Sequence, residues 1–98
     1  MKAKITDTEW VERRDQAVRA VLENDDLSLF EKFIKRHCPE VRKNLIKWNN
    51  NDSERIERVM RLMAYKMIPD ITTFSAEERN RARQWLREHG SSPIDWRA

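Results

Sequence analysis

The chain contains a single glycine, Gly90, among 98 residues. Sandwiches and barrels place glycine at hairpin turns and bulges, where the backbone needs positive φ. The rest of the sequence is rich in Arg, Glu, Lys, Leu and Ala, which favour helix. Four Trp and three Phe supply apolar surface for one core of domain size. We therefore expect an all-α fold: a compact bundle of about five short helices, forming a single helical domain over residues 1–98.

Hydrophobic residues recur three and four positions apart in five segments, which predicts five amphipathic helices. Helix-stopping residues separate the segments. Pro39 and Pro69 lack the amide donor that a helix interior needs, and the asparagines at 49–51 tolerate a left-handed backbone. The predicted helices span approximately residues 7–23, 27–37, 39–48, 53–67 and 76–89, with Gly90 as the terminal cap of the last.

Capping signals precede several of these helices. A Ser or Thr followed three residues later by Glu, the pattern of a capping box, occurs at 6–9, 28–31 and 75–78. Asp26 is an alternative cap for the second helix, and Asp52 is the expected cap of the fourth. Within the fourth helix, two pairs of residues lie four positions apart and are expected to form ion pairs: Glu54 with Arg58, and Glu57 with Arg61.

The second and third helices have expected buried stripes that decide which residues face solvent. In the second, Phe30, Phe33 and Ile34 form the stripe, and the basic residues lie opposite it. In the third, the buried positions are expected to be Val41, Leu45 and Trp48, at i, i+4 and i+7. The side chains expected to face outward are then Arg42, Lys43, Asn44 and Lys47.

Two apolar segments lie outside the helices. The loop DITTF at 70–74 is expected to return Ile71 and Phe74 to the core. The tail SSPIDWRA is interrupted by Pro93, yet Ile94 and Trp96 are too apolar to favour water. We expect the tail to pack on the core as an extended strap.

The sequence lacks the patterns of several kinds of chemistry. Cys38 is the only cysteine, so an internal disulfide is excluded and a cytoplasmic location is expected. His37 and Cys38 are adjacent in sequence, which directs their side chains apart, so we expect no metal site. No glycine-rich phosphate loop or apolar run of membrane length is present, and the charged start of the sequence leads us to expect no signal peptide. We expect no catalytic residues, no cofactor and no membrane association, and hence a protein that is not an enzyme.

Positive charge is concentrated in the middle of the chain. Residues 27–51 hold six basic and two acidic side chains, although the whole chain has a net charge of only +3. The leading hypothesis is a protein–protein interaction or regulatory module that binds an acidic protein partner through this basic surface. Its candidate residues on helices two and three are Lys32, Lys35, Arg36, Arg42, Lys43, Asn44 and Lys47.

Two alternatives to that hypothesis stay open. Two short helices around a tight break have the outline of a helix-turn-helix, in which the helix at 39–48 would read DNA bases with Arg, Lys and Asn. A self-associating structural protein is the third hypothesis, and the oligomeric state is left open. A secondary basic row on the fifth helix comprises Arg79, Arg83 and Arg87 at i, i+4 spacing.

Overall fold

A computed structural model describes residues 7–89, which form five α-helices and one short 3-10 turn. The helices are α1 (Asp7–Asn24), α2 (Ser28–His37), α3 (Pro39–Trp48), α4 (Ser53–Met67) and α5 (Ala76–His89), and the 3-10 turn is Ile68–Asp70. No strand occurs within residues 7–89. The predicted all-α class and the number of helices are confirmed.

Helix α4 occupies the centre of the bundle, where it contacts α1, α2, α3 and α5. Ile56, Met60 and Ala64, spaced four residues apart, form a buried stripe on this helix. Leu62 and Tyr65 lie off that stripe and are buried as well, Tyr65 by stacking against Trp85 of α5. A helix with neighbours on several sides is buried over more than one face, which a single hydrophobic stripe does not indicate.

The segment between α4 and α5 joins the core as expected. Ile71 and Phe74 are 4% and 2% exposed, and both belong to the main hydrophobic cluster. Phe74 also lies beneath the guanidinium of Arg19, which is 4.2 Å from its ring centroid. The loop therefore links α1 to the start of α5, although it has no regular structure of its own after Asp70.

The helix starts follow the capping signals, with one exception. Asp52 accepts hydrogen bonds from the amides of Glu54 and Arg55, at 3.1 and 3.4 Å. Ser75 and Glu78 form the reciprocal capping box, with hydrogen bonds of 2.9 and 3.1 Å. At α2, Ser28 is the first helical residue and donates its amide to Oδ1 of Asp26 at 2.9 Å, in agreement with the alternative through Asp26, and the box of Ser28 with Glu31 is not formed.

The buried face of α3 differs from the expected one. Val41 is 37% exposed, whereas Leu45 is 3% exposed and Asn49, one residue beyond the helix, is 8% exposed. Ile46 packs against the core and the Arg42 side chain is only 21% exposed. Positions 42, 45, 46 and 49 also follow helical spacing, so α3 is rotated relative to the predicted stripe. The expectation that Val41 faces inward and Arg42 outward was wrong.

Three predictions concern residues outside the described range 7–89: the capping box begun by Thr6, the cap at Gly90 and the strap formed by 90–98. Of the helices within the described range, none has both the length and the apolar character that crossing a lipid bilayer requires.

Candidate functional site

A groove between α1 and α2 gathers basic side chains around an apolar floor. Its volume is about 160 Å³. We call it the basic groove, and it is lined by Arg13, Gln16 and Ala17 of α1 and by Leu29, Lys32, Phe33, Arg36 and His37 of α2. The two helices run against each other, so residues one turn apart on each helix form the two walls.

The basic side chains of the groove lie close enough for their charges to act on one another. His37 is half-buried at one end, where its ring contacts Phe33 at a centroid distance of 5.0 Å. Burial lowers the pKa of His37 below its ordinary value of 6.5, and the positive charges of Arg13 and Arg36 lower it further. His37 is therefore mainly neutral at neutral pH, while the groove around it is electropositive.

The apolar part of the groove combines a buried floor with an exposed rim. Ala17 and Phe33 are 2% and 7% exposed and form the floor, which is continuous with the core. Leu29 stands at the rim and is 45% exposed, the most exposed large hydrophobic side chain among residues 7–89. Such a surface offers an apolar contact surrounded by cations, which suits a ligand that carries an apolar group and negative charges.

The structure divides the residues of the predicted basic surface among several places. Lys32 and Arg36 line the basic groove, whereas Lys35 is exposed on α2 outside it. Lys43 and Lys47 are exposed on α3, and Lys43 lies 3.9 Å from Glu40. Asn44 is half-buried on the same helix. The two lysines of α2 and the two of α3 therefore do not line one common groove.

Arg42 is directed toward α2 instead of toward solvent. Its Nη2 atom lies 3.9 Å from Oε2 of Glu31. Its Nη1 atom is buried and has no hydrogen-bond partner among the residues described. The aliphatic stem of an arginine can cover apolar surface while its head reaches a carboxylate, which accounts for this orientation.

Two of the three arginines in the secondary basic row on α5, Arg79 and Arg83, make local contacts. The Nε atom of Arg79 lies 3.5 Å from the carbonyl oxygen of Ser75, and Arg83 donates to Asn80 at 2.7 Å. Arg83 and Arg87 are exposed and Arg79 is half-buried. Whether this row binds a partner stays a prediction.

Sequence reasoning missed Arg13 and Leu29 as groove residues. Arg13 lies one turn before Ala17, at the border of the buried face of α1, and this position could have indicated a basic residue beside an apolar surface. Leu29 is a large apolar residue off the stripe formed by Phe30, Phe33 and Ile34, which was a second signal. Neither reveals which surface of the neighbouring helix it meets, because that depends on tertiary packing.

Within residues 7–89, His, Cys, Asp and Glu side chains do not gather in groups of three or more that could hold a metal ion. Cys38 is a free, half-buried thiol between α2 and α3. No family model, no curated protein and no solved structure with which the chain was compared gives a match.

Proposed function

We propose that the protein is a non-enzymatic interaction module that binds an acidic protein segment in the basic groove. The observation that carries the proposal is the convergence of Arg13, Lys32 and Arg36 around an apolar floor with Leu29 at its rim. The partner that fits is a segment in which acidic residues flank one large apolar side chain. The apolar side chain would pack on Leu29 and Phe33, and the carboxylates would pair with the three cations.

The cations of the groove retain capacity for such a partner. Among the residues described, Lys32 and Arg36 form no ion pair, and Arg13 lies 3.9 Å from Glu9 on its own helix. The side chains of Arg13 and Glu9 are 43% and 53% exposed, so that contact contributes little to stability. A partner carboxylate can therefore replace it at small cost.

The DNA-binding alternative stays a prediction. Of the four side chains assigned to the DNA groove, Arg42 is directed toward Glu31 and Asn44 is half-buried, while Lys43 and Lys47 remain exposed. Lysines contact phosphates and can also reach the edge of guanine, so the two exposed lysines do not decide against this alternative. No observation favours this alternative over the acidic-partner proposal. Self-association likewise stays a prediction.

Selection from a random peptide library on the immobilised protein tests the proposal. Peptides with acidic residues on both sides of one Leu, Ile, Phe or Trp should be enriched. One selected peptide, labelled with fluorescein, should bind less tightly as salt rises, because exposed ion pairs are screened. Combining Lys32→Glu with Arg36→Glu should weaken its binding by about tenfold or more, because the new carboxylates in the groove repel those of the peptide.

The matched control is the pair Arg83→Glu and Arg87→Glu on α5, which changes the net charge equally at a distance from the groove. The control should leave affinity within about twofold at moderate salt, since long-range effects are screened. Leu29→Ser should weaken binding without altering the salt dependence. Enrichment of peptides without acidic residues, or equal loss in the control, would refute the proposal.

A further inference from the structure

A second cleft lies between α4 and α5 and contains a ladder of three stacked rings. Tyr65 of α4 stacks on Trp85 of α5, with centroids 3.9 Å apart and planes 4° apart. Trp85 in turn stacks on His89, with centroids 4.4 Å apart and planes at 15°. Trp85 and His89 are four residues apart on α5, so one helical turn sets their separation.

The ladder runs from the core to the surface. Tyr65 is 7% exposed, Trp85 is half-buried and His89 is exposed. His89 is also held through its Nδ1 atom, 3.1 Å from the carbonyl oxygen of Trp85. Among the residues described, no further ring stacks on His89. A flat, oriented ring at the open end of a stack is a suitable platform for another planar ring.

Arginines lie beside this platform in a cleft of about 430 Å³, a volume within the range of small-molecule sites, about 300–1,000 Å³. Arg58 is exposed and forms no ion pair among the residues described, so the expected pair with Glu54 is not formed. Arg61 donates from Nε to Oδ1 of Asp25 at 2.7 Å, in place of the expected pair with Glu57. Asp25 has a φ of 52° at the end of α1, which places its carboxylate at the cleft.

We infer that this cleft, the aromatic cleft, binds a nucleotide unit, with the base stacked on His89 and the phosphate held by Arg58 and Arg61. Nucleotides combine a planar ring with an anion, and proteins bind them without sequence preference by combining aromatic stacking with basic side chains. Asp25 holds Arg61 in position and does not itself contact the phosphate. The inference is independent of the basic groove, which lies between α1 and α2.

The nucleotide can come from two sources: a free mononucleotide or a position within a single strand. A fluorescein-labelled oligouridylate of eight nucleotides, titrated with the full-length protein at low salt, tests the second source. Competition by unlabelled AMP and UMP tests the first. If AMP and UMP do not displace the bound oligonucleotide, the site accepts a position within a strand. If they displace it, the site accepts a free nucleotide.

Two variants report on the two halves of the site. His89→Ala removes the platform and should weaken binding by about tenfold, the usual effect of losing one stacking partner. Arg58→Ala should weaken binding and reduce its salt dependence, because one phosphate contact is lost. Arg83→Ala removes an arginine from a different part of α5 and is the matched control. His89 and Arg58 are exposed, so both variants should keep the circular dichroism and melting temperature of the original protein.

The result expected is binding that falls in His89→Ala and Arg58→Ala and is retained in Arg83→Ala. If neither the oligouridylate nor the mononucleotides bind at low salt, the inference is overturned. Equal loss in all three variants would also overturn it, because binding would then follow total charge and not the aromatic cleft.

Discussion

At the scale of single residues, Arg19 joins three parts of the molecule. It extends from α1 over the ring of Phe74 and donates a hydrogen bond to Glu78 in the first turn of α5. Glu78 also accepts from the amide of Ser75 in the capping box. The hydrogen bonds from Arg19 and from the Ser75 amide both favour the ionised form of Glu78. The hydrogen bond from the Ser75 backbone is the main cause that lowers the pKa of this carboxyl below its ordinary value of 4.5, and the charge of Arg19 adds to it.

This pKa predicts how acid affects stability. Because the folded pKa lies below the unfolded one, Glu78 stabilises the fold above about pH 4.5, and this contribution is lost as the pH falls through the lowered value. Glu78→Gln keeps an acceptor for the Ser75 amide but removes the charge. It should lower the free energy of unfolding by up to about 1 kcal/mol at neutral pH.

Urea unfolding of Glu78→Gln and of the original protein across the acid range measures this effect. The difference between them should shrink toward zero below the lowered pKa. Glu77→Gln, on the adjacent exposed position of the same first turn, is the control and should have a smaller effect. A difference for Glu78→Gln that is independent of pH would show that the ionised form is not the stabilising one.

At the scale of helices, the sequence determined where helices occur better than which way they face. Pro39, Asp52 and the Ser75–Glu78 box act within a few residues, so they indicate a helix start from local chemistry alone. The orientation of a short helix depends on its neighbours. α3 has two stripes of helical spacing, one through Val41 and one through Ile46, and both contain Leu45. Contacts with α2 and α4 select the second stripe.

The rotation of α3 predicts unequal effects of truncation. Leu45→Ala should lower the free energy of unfolding by about 2–4 kcal/mol, because it leaves a cavity in the core. Val41→Ala should cost less than about 1 kcal/mol, because its side chain is largely exposed. Thermal and urea unfolding of the two variants measures the loss in free energy of unfolding that each one causes. Ile46→Ala should fall between them, since Ile46 packs against the core without being fully buried. A larger effect for Val41 than for Ile46 would restore the stripe expected from the sequence.

At the scale of the whole molecule, the two candidate sites are clefts between packed helices, and the periodicity of each helix does not predict that packing. The cations Lys32 and Arg36 were predicted to face outward, and they do. Their partner in the basic groove, Arg13, comes from α1, and its position follows from the packing of α1 on α2. The aromatic cleft depends in the same way on α4 and α5. Periodicity within one helix cannot give these contacts, because it carries no information about which helices are neighbours.

The arrangement of helices also predicts where the molecule opens first. α5 packs mainly against α4 and the 3-10 turn, and Ala82 is its only fully buried residue within 76–89. α1, by contrast, contributes four buried residues and contacts both α2 and α4. Segments with few buried contacts open with less free energy than the global unfolding transition. We therefore expect the amides of α5 to exchange with deuterium faster than those of α1 and α4.

Trp85→Ala tests whether the aromatic ladder holds α5 in place. Loss of the stack with Tyr65 should lower the protection of α5 severalfold or more, since aromatic pairs are worth about 0.5–1.5 kcal/mol beyond their burial. Protection of α1 should change little, because α1 packs mainly against α2 and α4. Hydrogen exchange followed by mass spectrometry resolves the two helices. Equal loss of protection in α1 and α5 would show that the chain unfolds as one unit. Because Trp85 and His89 both belong to α5, selective opening of this helix would also dismantle the aromatic cleft, so its occupancy and the protection of α5 should rise together.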